Sequence, residues 1–341
     1  MQNKTGMQTD RLIRGRVLYV SPERVVASRG ASILESRDSG QSWFLLCKTP
    51  LALTDLFYVH VPLLRRLLRK GVHHLEIGST YTMLIANKAS YIVHKQNGIE
   101  YSGFIKGSRP LSLCQVGDDF YYGEYLANKQ RLPVHIWKWS GTEKKWQAVW
   151  QFNNVRHVHG VFYDHYTDSI WVTTGDDDQE AGIWRTRDEF STLDKIAGGC
   201  QQFRAVQLLF TKDYVYFGSD APEERNFIYR MDRDVLKIEK LAVVSNPVYY
   251  GCKVLDKLFF STAVEPSKLN KSPYAEIWGA TEGAGWKMVK RFKKDIWPMK
   301  YFQYGQVLMP GGPGDGENLW LSPLAADYSQ KSLRIPVRDL F

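Results

Sequence analysis

Short runs of apolar and aromatic residues recur along the chain, separated by turn-forming glycine, asparagine, aspartate and serine. The runs include RGRVLYV, DFYYGEY, DSIWVTTG, DYVYFGSD, KLFFSTAV and GQVLMPGG. Valine, tyrosine, phenylalanine and tryptophan suit a pleated sheet, so each run predicts a strand. One segment breaks the rule. In VHVPLLRRLLRKG, Leu64, Leu67 and Leu68 recur at helical spacing, with Arg65, Arg66, Arg69 and Lys70 between and beyond them. Pro62 suits a first turn and Gly71 a stop, which predicts a short amphipathic helix over about residues 61–70.

A longer period lies beneath the strands. Ile33, Ile92, Ile136, Ile183, Ile228, Ile277 and Leu319 each follow a long polar loop, at spacings of 59, 44, 47, 45, 49 and 42 residues. A repeat of about 40–50 residues marks a β-propeller, each blade a four-stranded sheet. Nine or ten residues after six of these anchors stands another large apolar residue: Trp43, Tyr101, Trp146, Leu193, Ile238 and Trp286. Each such pair brackets the hairpin of two outer strands, the second residue closing it against the next blade. The expectation is an all-β, seven-bladed propeller filling residues 1–341 as one domain. Its N-terminus (1–10) is expected to be disordered, and GRVLYV is expected to close the last blade. The long first interval accommodates the inserted helix, whose leucines are expected to dock on the domain; a basic helix of this kind can also meet a membrane surface or a partner.

The stretch ILESRDSGQSW holds Ser36, Asp38, Gly40 and Trp43 in the first outer hairpin. A short carboxylate accepts backbone N–H groups in a tight turn, a serine does so more weakly, and glycine permits positive φ. The pattern resembles the Asp-box (BNR) repeat of the sialidase-like propeller superfamily, Ser/Thr-x-Asp-x-Gly-x-x-Trp. Fragments persist in TRDEFSTL (Thr186, Asp188) and GATEGAGW (Gly283, Trp286). The resemblance implies a structural role for the motif at the blade edges, away from any active site. The Arg-Ile-Pro of sialidases occurs only at Arg334–Pro336, at the far end of the chain, so sialidase activity proper is not expected.

Composition narrows the picture. A chain of 341 residues with 44% hydrophobic and 13% aromatic residues can bury a large core. A net charge of +9 favours acidic partners, although the basic residues are dispersed. Cys47, Cys114, Cys200 and Cys252 form no C-x-x-C pair, which excludes zinc-ribbon and thioredoxin-like motifs. There is no apolar run long enough for a secretory signal or a membrane span, so a cytoplasmic protein with reduced thiols is expected.

In a propeller, the loop leading into each innermost strand and the loop between the second and third strands open on one face. The latter loops carry Glu124, Asp176 with Asp177, Asp220 with Glu223, Glu265 and Asp315. Segments leading into inner strands carry Arg109, His157 and His159, Arg204, Tyr249 and Tyr250, and Trp297 with Lys300. Residues i and i+2 of a strand share a face, so the two histidines point the same way. Acids, imidazoles, arginines and aromatics around one mouth suit a carbohydrate.

The expected activity is that of a carbohydrate-active or carbohydrate-binding propeller for an oligo- or polysaccharide. As a glycoside hydrolase it would use Glu124, Asp176, Asp220 or Glu265 as acid and base. As a polysaccharide lyase it would remove a proton beside a uronate. His157 and His159 would orient substrate or shuttle protons, and Arg109, Arg204, Tyr249, Tyr250, Trp297 and Lys300 would bind it. The alternative is a non-catalytic scaffold for protein partners. No cofactor, metal or nucleic acid is expected. His157-x-His159 with Asp176 has the chemistry of a metal site, but hydrogen-bonded core histidines are the reading adopted, and His73-His74 is read as surface.

Overall fold

The computed structural model describes residues 11–50, 61–94 and 98–341; the first ten residues, expected to be disordered, lie outside them. Among the described residues the strands form seven four-stranded antiparallel sheets. The first blade runs β2 (Arg16–Val20), β3 (Val25–Arg29), β4 (Ser32–Ser36) and β5 (Phe44–Lys48) from axis to rim. The second runs β6 (Val72–Ile77) to β9 (Ile99–Phe104), the third β10 (Cys114–Val116) to β13 (Lys145–Phe152) and the fourth β14 (His157–Asp164) to β17 (Asp194–Gly198). The fifth runs β18 (Ala205–Phe210) to β21 (Ile238–Val244), and the sixth β22 (Val248–Val254) to β25 (Lys287–Lys293). The seventh takes β26 (Gln306–Leu308), β27 (Asn318–Leu324) and β28 (Lys331–Pro336) from the C-terminal end, and β1 (Arg11–Arg14) from the N-terminal end.

The ring therefore closes one strand earlier than expected. Arg11 pairs with Arg334 and Arg14 with Lys331, so RLIR is the closing strand and GRVLYV is the inner strand of the first blade. The repeat register is otherwise right for six blades, whose isoleucine anchors all sit on the third strand. Leu319 does not: it lies on the second strand of the seventh blade, paired with Ile335 of the third.

Buried apolar side chains among the described residues fall into seven clusters, one between each pair of neighbouring blades. The hairpin tryptophans face backward rather than forward. Trp43 packs with Trp320 and Ile13 of the seventh blade, and Trp146 donates from its indole to Ser90 Oγ of the second at 2.8 Å. Trp286 lies between Phe260 of its own blade and Tyr216 of the fifth. Each fills the gap to the preceding blade around the ring, which for Trp43 is the seventh, the last in the chain.

The turn before Trp43 is built as its residue types require. Ser36 Oγ accepts from Gly40 N and donates to Asp38 Oδ1, each at 2.8 Å, while Asp38 accepts from the N–H groups of Gln41 and Ser42. Gly40 has φ +82°, and a Cβ there would stand 2.7 Å from Ile13 Cδ1. The fourth blade repeats the network. Thr186 Oγ1 bonds Asp188 and accepts from Phe190 N, and Asp188 accepts from Thr192 N. Phe190 takes the glycine position at φ +72° and is buried, so packing of the ring offsets the backbone cost that hid this copy in the sequence.

The inserted helix is α1 (Pro62–Leu68). It docks through an arginine rather than through leucines. Leu67 and Leu68 are exposed, whereas Arg66 is buried, bonding Asp295 Oδ2 at 2.6 Å and the carbonyl of Phe302. Phe302 ends a second short helix, α2 (Met299–Phe302), which leads into β26. The two helices stand together on the face where the inner strands begin.

Blades four and five are also stapled by a buried ion pair. Asp164 in β14 is fully buried and accepts from both terminal nitrogens of Arg233, whose Nε donates to the carbonyl of Thr211 at 2.8 Å. Removing one partner of such a pair leaves an uncompensated charge. Asp164→Ala should cost about 3–5 kcal/mol in chemical denaturation; a loss under about 1 kcal/mol would show that the pair contributes little.

Candidate functional site

The starts of the inner strands and the second-to-third-strand loops enclose a cup at the axis with a volume of about 1530 Å³. Three of its side chains owe their aim to β-bulges. In β14 the pairing passes from Val158–Thr174 to Gly160–Thr173, leaving His159 as the extra residue. In β6 it passes from Val72 to His74, and in β22 from Val248 to Tyr250, leaving His73 and Tyr249 extra. A bulge bends the strand and re-aims one side chain, and all three line the cup. Gly175 makes room for the result, since a Cβ there would meet His159 Cε1 at 2.8 Å and Arg204 Cγ at 3.1 Å.

One pole of the cup centres on Asp176. Its carboxylate accepts from Arg156 Nη1 at 2.7 Å and pairs with Arg204 Nη2 at 3.1 Å. His157 Nε2 and His159 Nε2 stand 3.2 and 3.3 Å from Oδ1. Burial alone would raise the Asp176 pKa; the two imidazoles and Arg204 outweigh it and hold the carboxyl well below the usual range. Burial pushes His159 down to about 4, against its bond to Asp176. Arg204 also reaches Asp220, with Nε 3.2 Å from Oδ2, while Asp220 Oδ1 is buried without a partner among the described residues. Burial, opposed by Arg204 and reinforced by Glu265 and Asp176, pushes Asp220 up to about 8. Nearby, Tyr249 donates its hydroxyl to Glu265 Oε2 at 2.7 Å.

The other pole is cationic. Arg16 donates Nη1 to the carbonyl of Val72, its Nε is buried without a partner, and burial lowers its pKa to about 10. Burial also lowers the pKa of Arg109, helped by the charge of Arg69, and among the described residues no carboxylate pairs with Arg16 or Arg109. His73 is held well below its ordinary value by burial and then by Arg109. His74 faces the carbonyl of Pro110 with Nε2 at 2.8 Å, and burial pushes its pKa down to about 4.

Of the sequence-derived candidates, Asp176, Asp220, Glu265, His157, His159, Arg109, Arg204, Tyr249, Tyr250 and Lys300 come together at the cup. Glu124 is not among its lining residues. It is buried in the third blade, accepting from the Trp137 indole at 2.8 Å and from His135 N at 3.0 Å, which is a bracing role. Trp297 sits outside as well, packed on Phe302, and Asp315 holds the Trp320 indole.

The mouth is basic rather than acidic: nine arginines and four lysines line it, against Asp176, Asp177, Asp220 and Glu265. Sequence reasoning missed Arg16, Arg156, Tyr125, His73 and His74. The histidine pair is no surface feature. Its position at the start of a strand just after the inserted helix was the signal that could have found it.

No family model matches the chain, and no curated protein matches it. Solved structures do. A chain of the mitotic checkpoint complex is similar at TM-score 0.60 and 11% identity, covering 99% of this chain and 98% of that one. An oligogalacturonate lyase in complex with manganese is similar at TM-score 0.65 and 7% identity, covering 96% and 92%. An oligogalacturonate lyase from Vibrio parahaemolyticus is similar at TM-score 0.59 and 9% identity, covering 95% and 91%. At these identities the likeness is one of fold.

The raised pKa of Asp220 makes a pH prediction. The folded protein binds this proton more tightly than the unfolded chain, so the contribution is complete below the unfolded value of about 4 and lost as pH rises through about 8. Asp220→Asn should melt at least about 2 °C above the parent at pH 9, with the gain vanishing toward pH 4. A parent that is the more stable at high pH would show that Asp220 is ionised and held by Arg204.

Proposed function

We propose that the cup binds an acidic oligosaccharide and cleaves it by β-elimination beside a uronate carboxylate. One observation carries the reading: Arg16 and Arg109 are half-buried at the cup, with Arg16 Nε fully enclosed, and neither has a carboxylate partner among the described residues. Half-buried guanidiniums without counter-charge call for an anion from outside, and a guanidinium matches a planar carboxylate in a bidentate way. The fold is also that of the oligogalacturonate lyases above, which agrees with a uronate substrate and adds nothing at the level of residues.

In this reading Arg109 and Arg16 neutralise the substrate carboxylate, which makes the neighbouring C5–H bond more acidic. His73, neutral at working pH and beside Arg109, accepts the C5 proton. The electron pair forms the C4–C5 double bond, the C4–O4 bond breaks, and O4 takes the proton that Asp220 carries. Arg204 holds Asp220, and the Tyr249–Glu265 pair shapes the opposite wall. The Asp turns of blades one and four are the feature shared with sialidase-like Asp-box repeats. We place the chain's kinship there, with those turns serving the blade rims only.

The test is incubation with oligogalacturonate, other oligouronates and a carboxyl-reduced control, reading ultraviolet absorbance of the unsaturated product. Turnover should require the carboxylate. His73→Ala should lower kcat by about 10²–10⁴, and Arg109→Ala should raise KM about tenfold or more. New reducing ends without unsaturation would replace elimination by hydrolysis. Tight binding without turnover would leave a lectin-like module, and no binding of any acidic sugar would favour a protein scaffold.

A further inference from the structure

We propose that His157, His159 and Asp176 form a binding site for a divalent first-row transition-metal ion at the floor of the cup. The inference goes beyond the sugar chemistry above and does not rest on it. It begins with the imidazole tautomers. His157 Nδ1 lies 3.0 Å from the carbonyl oxygen of Leu126, and His159 Nδ1 lies 3.2 Å from that of Ala205. A carbonyl oxygen only accepts, so both Nδ1 atoms carry hydrogen and donate. In neutral rings both Nε2 atoms are then bare lone pairs.

Those lone pairs face each other and an anion. The two Nε2 atoms are 3.1 Å apart, and each is within 3.3 Å of Asp176 Oδ1. With both rings neutral, three acceptors converge with no hydrogen between them; without an ion, a proton on an Nε2 must bridge to Asp176 Oδ1, and both rings are buried. Such an arrangement asks for a positive charge at its centre. The triangle has the size of one face of a metal coordination shell. An ion about 2.1 Å from each atom would stand roughly 1 Å out of the plane, with ligand–metal–ligand angles of about 100°. The backbone carbonyls behind each ring are the outer partners that fix tautomer and orientation in metal-binding histidines.

Asp176 is not idle without an ion. Arg156 Nη1 bonds Oδ2 and Arg204 Nη2 approaches Oδ1. A metal would take the Oδ1 position from Arg204, which keeps Asp220 through Nε. Two imidazoles and one carboxylate favour the borderline ions Fe²⁺, Co²⁺ and Zn²⁺ over Mg²⁺ or Ca²⁺, which prefer all-oxygen shells, with the harder Mn²⁺ binding more weakly than these three.

The test uses the full chain stripped by chelator and titrated with Mn²⁺, Co²⁺ or Zn²⁺ by calorimetry, without sugar. One equivalent should bind at micromolar affinity or tighter, Mg²⁺ should fail to compete, and Co²⁺ should give a visible spectrum with imidazole character. His159→Ala and Asp176→Asn should each weaken binding at least 100-fold, while His73→Ala should bind as the parent does. Should the variants not fold, imidazole NMR of the parent decides: Zn²⁺ should shift the His157 and His159 resonances and spare the other histidines. A stripped parent that takes up no ion at millimolar concentration would overturn the proposal, the triangle then holding a proton. So would uptake that leaves those resonances unmoved. Repeating the oligouronate assay in chelator separates this result from the fate of the sugar reading.

Discussion

Seven sheets can share one axis only if the last is tied to the first, and here the tie is a strand contributed by the other end of the chain. Backbone hydrogen bonds from Arg11–Arg14 to Lys331–Pro336 complete the seventh sheet. Ile13 then fills the gap between that sheet and the first, with Trp320 and Trp43. Without that pairing β28 would present an open edge, and the cluster between blades seven and one would lose one of its walls. Everything at the axis depends on this constraint. The cup exists because seven inner strands begin on the same face, where neighbouring blades bring Arg16 beside Val72 and Arg204 beside Asp176.

The chemistry is then a matter of small departures from regular strands. Bulges at His73, His159 and Tyr249 spend one residue each to turn a side chain into the cup. Burial does the rest, and its effect depends on the neighbours. Asp176 and Asp220 share one guanidinium, yet the first is held ionised by the imidazoles and arginines around it while the second is pushed to hold its proton. Two carboxyls of opposed protonation and a patch of arginines without carboxylate partners among the described residues share one concavity, and the proposed elimination is built on that combination.

Much of the fold was legible in the sequence because the repeat places an isoleucine on the third strand of six blades and, in five of them, a large residue nine or ten positions later at the gap between blades. It was not legible where geometry replaced residue type. Phe190 sits where glycine is expected, so the second Asp turn was visible only as Thr186 and Asp188. Leu319 fitted the period by spacing alone, since the seventh blade borrows its outer strand. At the site, the convergence of Asp176, Asp220, His157, His159 and Arg204 followed from topology. Glu124 shared their position in the repeat but turned back to the Trp137 indole. The basic character of the mouth was hidden because arginines distant in sequence, such as Arg16, Arg109 and Arg156, meet only in the closed ring. The bulge that aims His73 has no sequence signature, so only its place at the start of a strand just after the helix marked it.

The strand that closes the ring leads the described chain, and its partner comes almost at the other end. During synthesis RLIR must wait, unpaired, while six complete sheets are laid down behind it, and it finds its place only when Lys331–Pro336 has emerged. Two of the backward-facing tryptophans suit that order of events, since Trp146 and Trp286 seat on blades already laid down, whereas Trp43 gains its partner Trp320 only with the seventh blade. Only the last seam is left for the two ends to join.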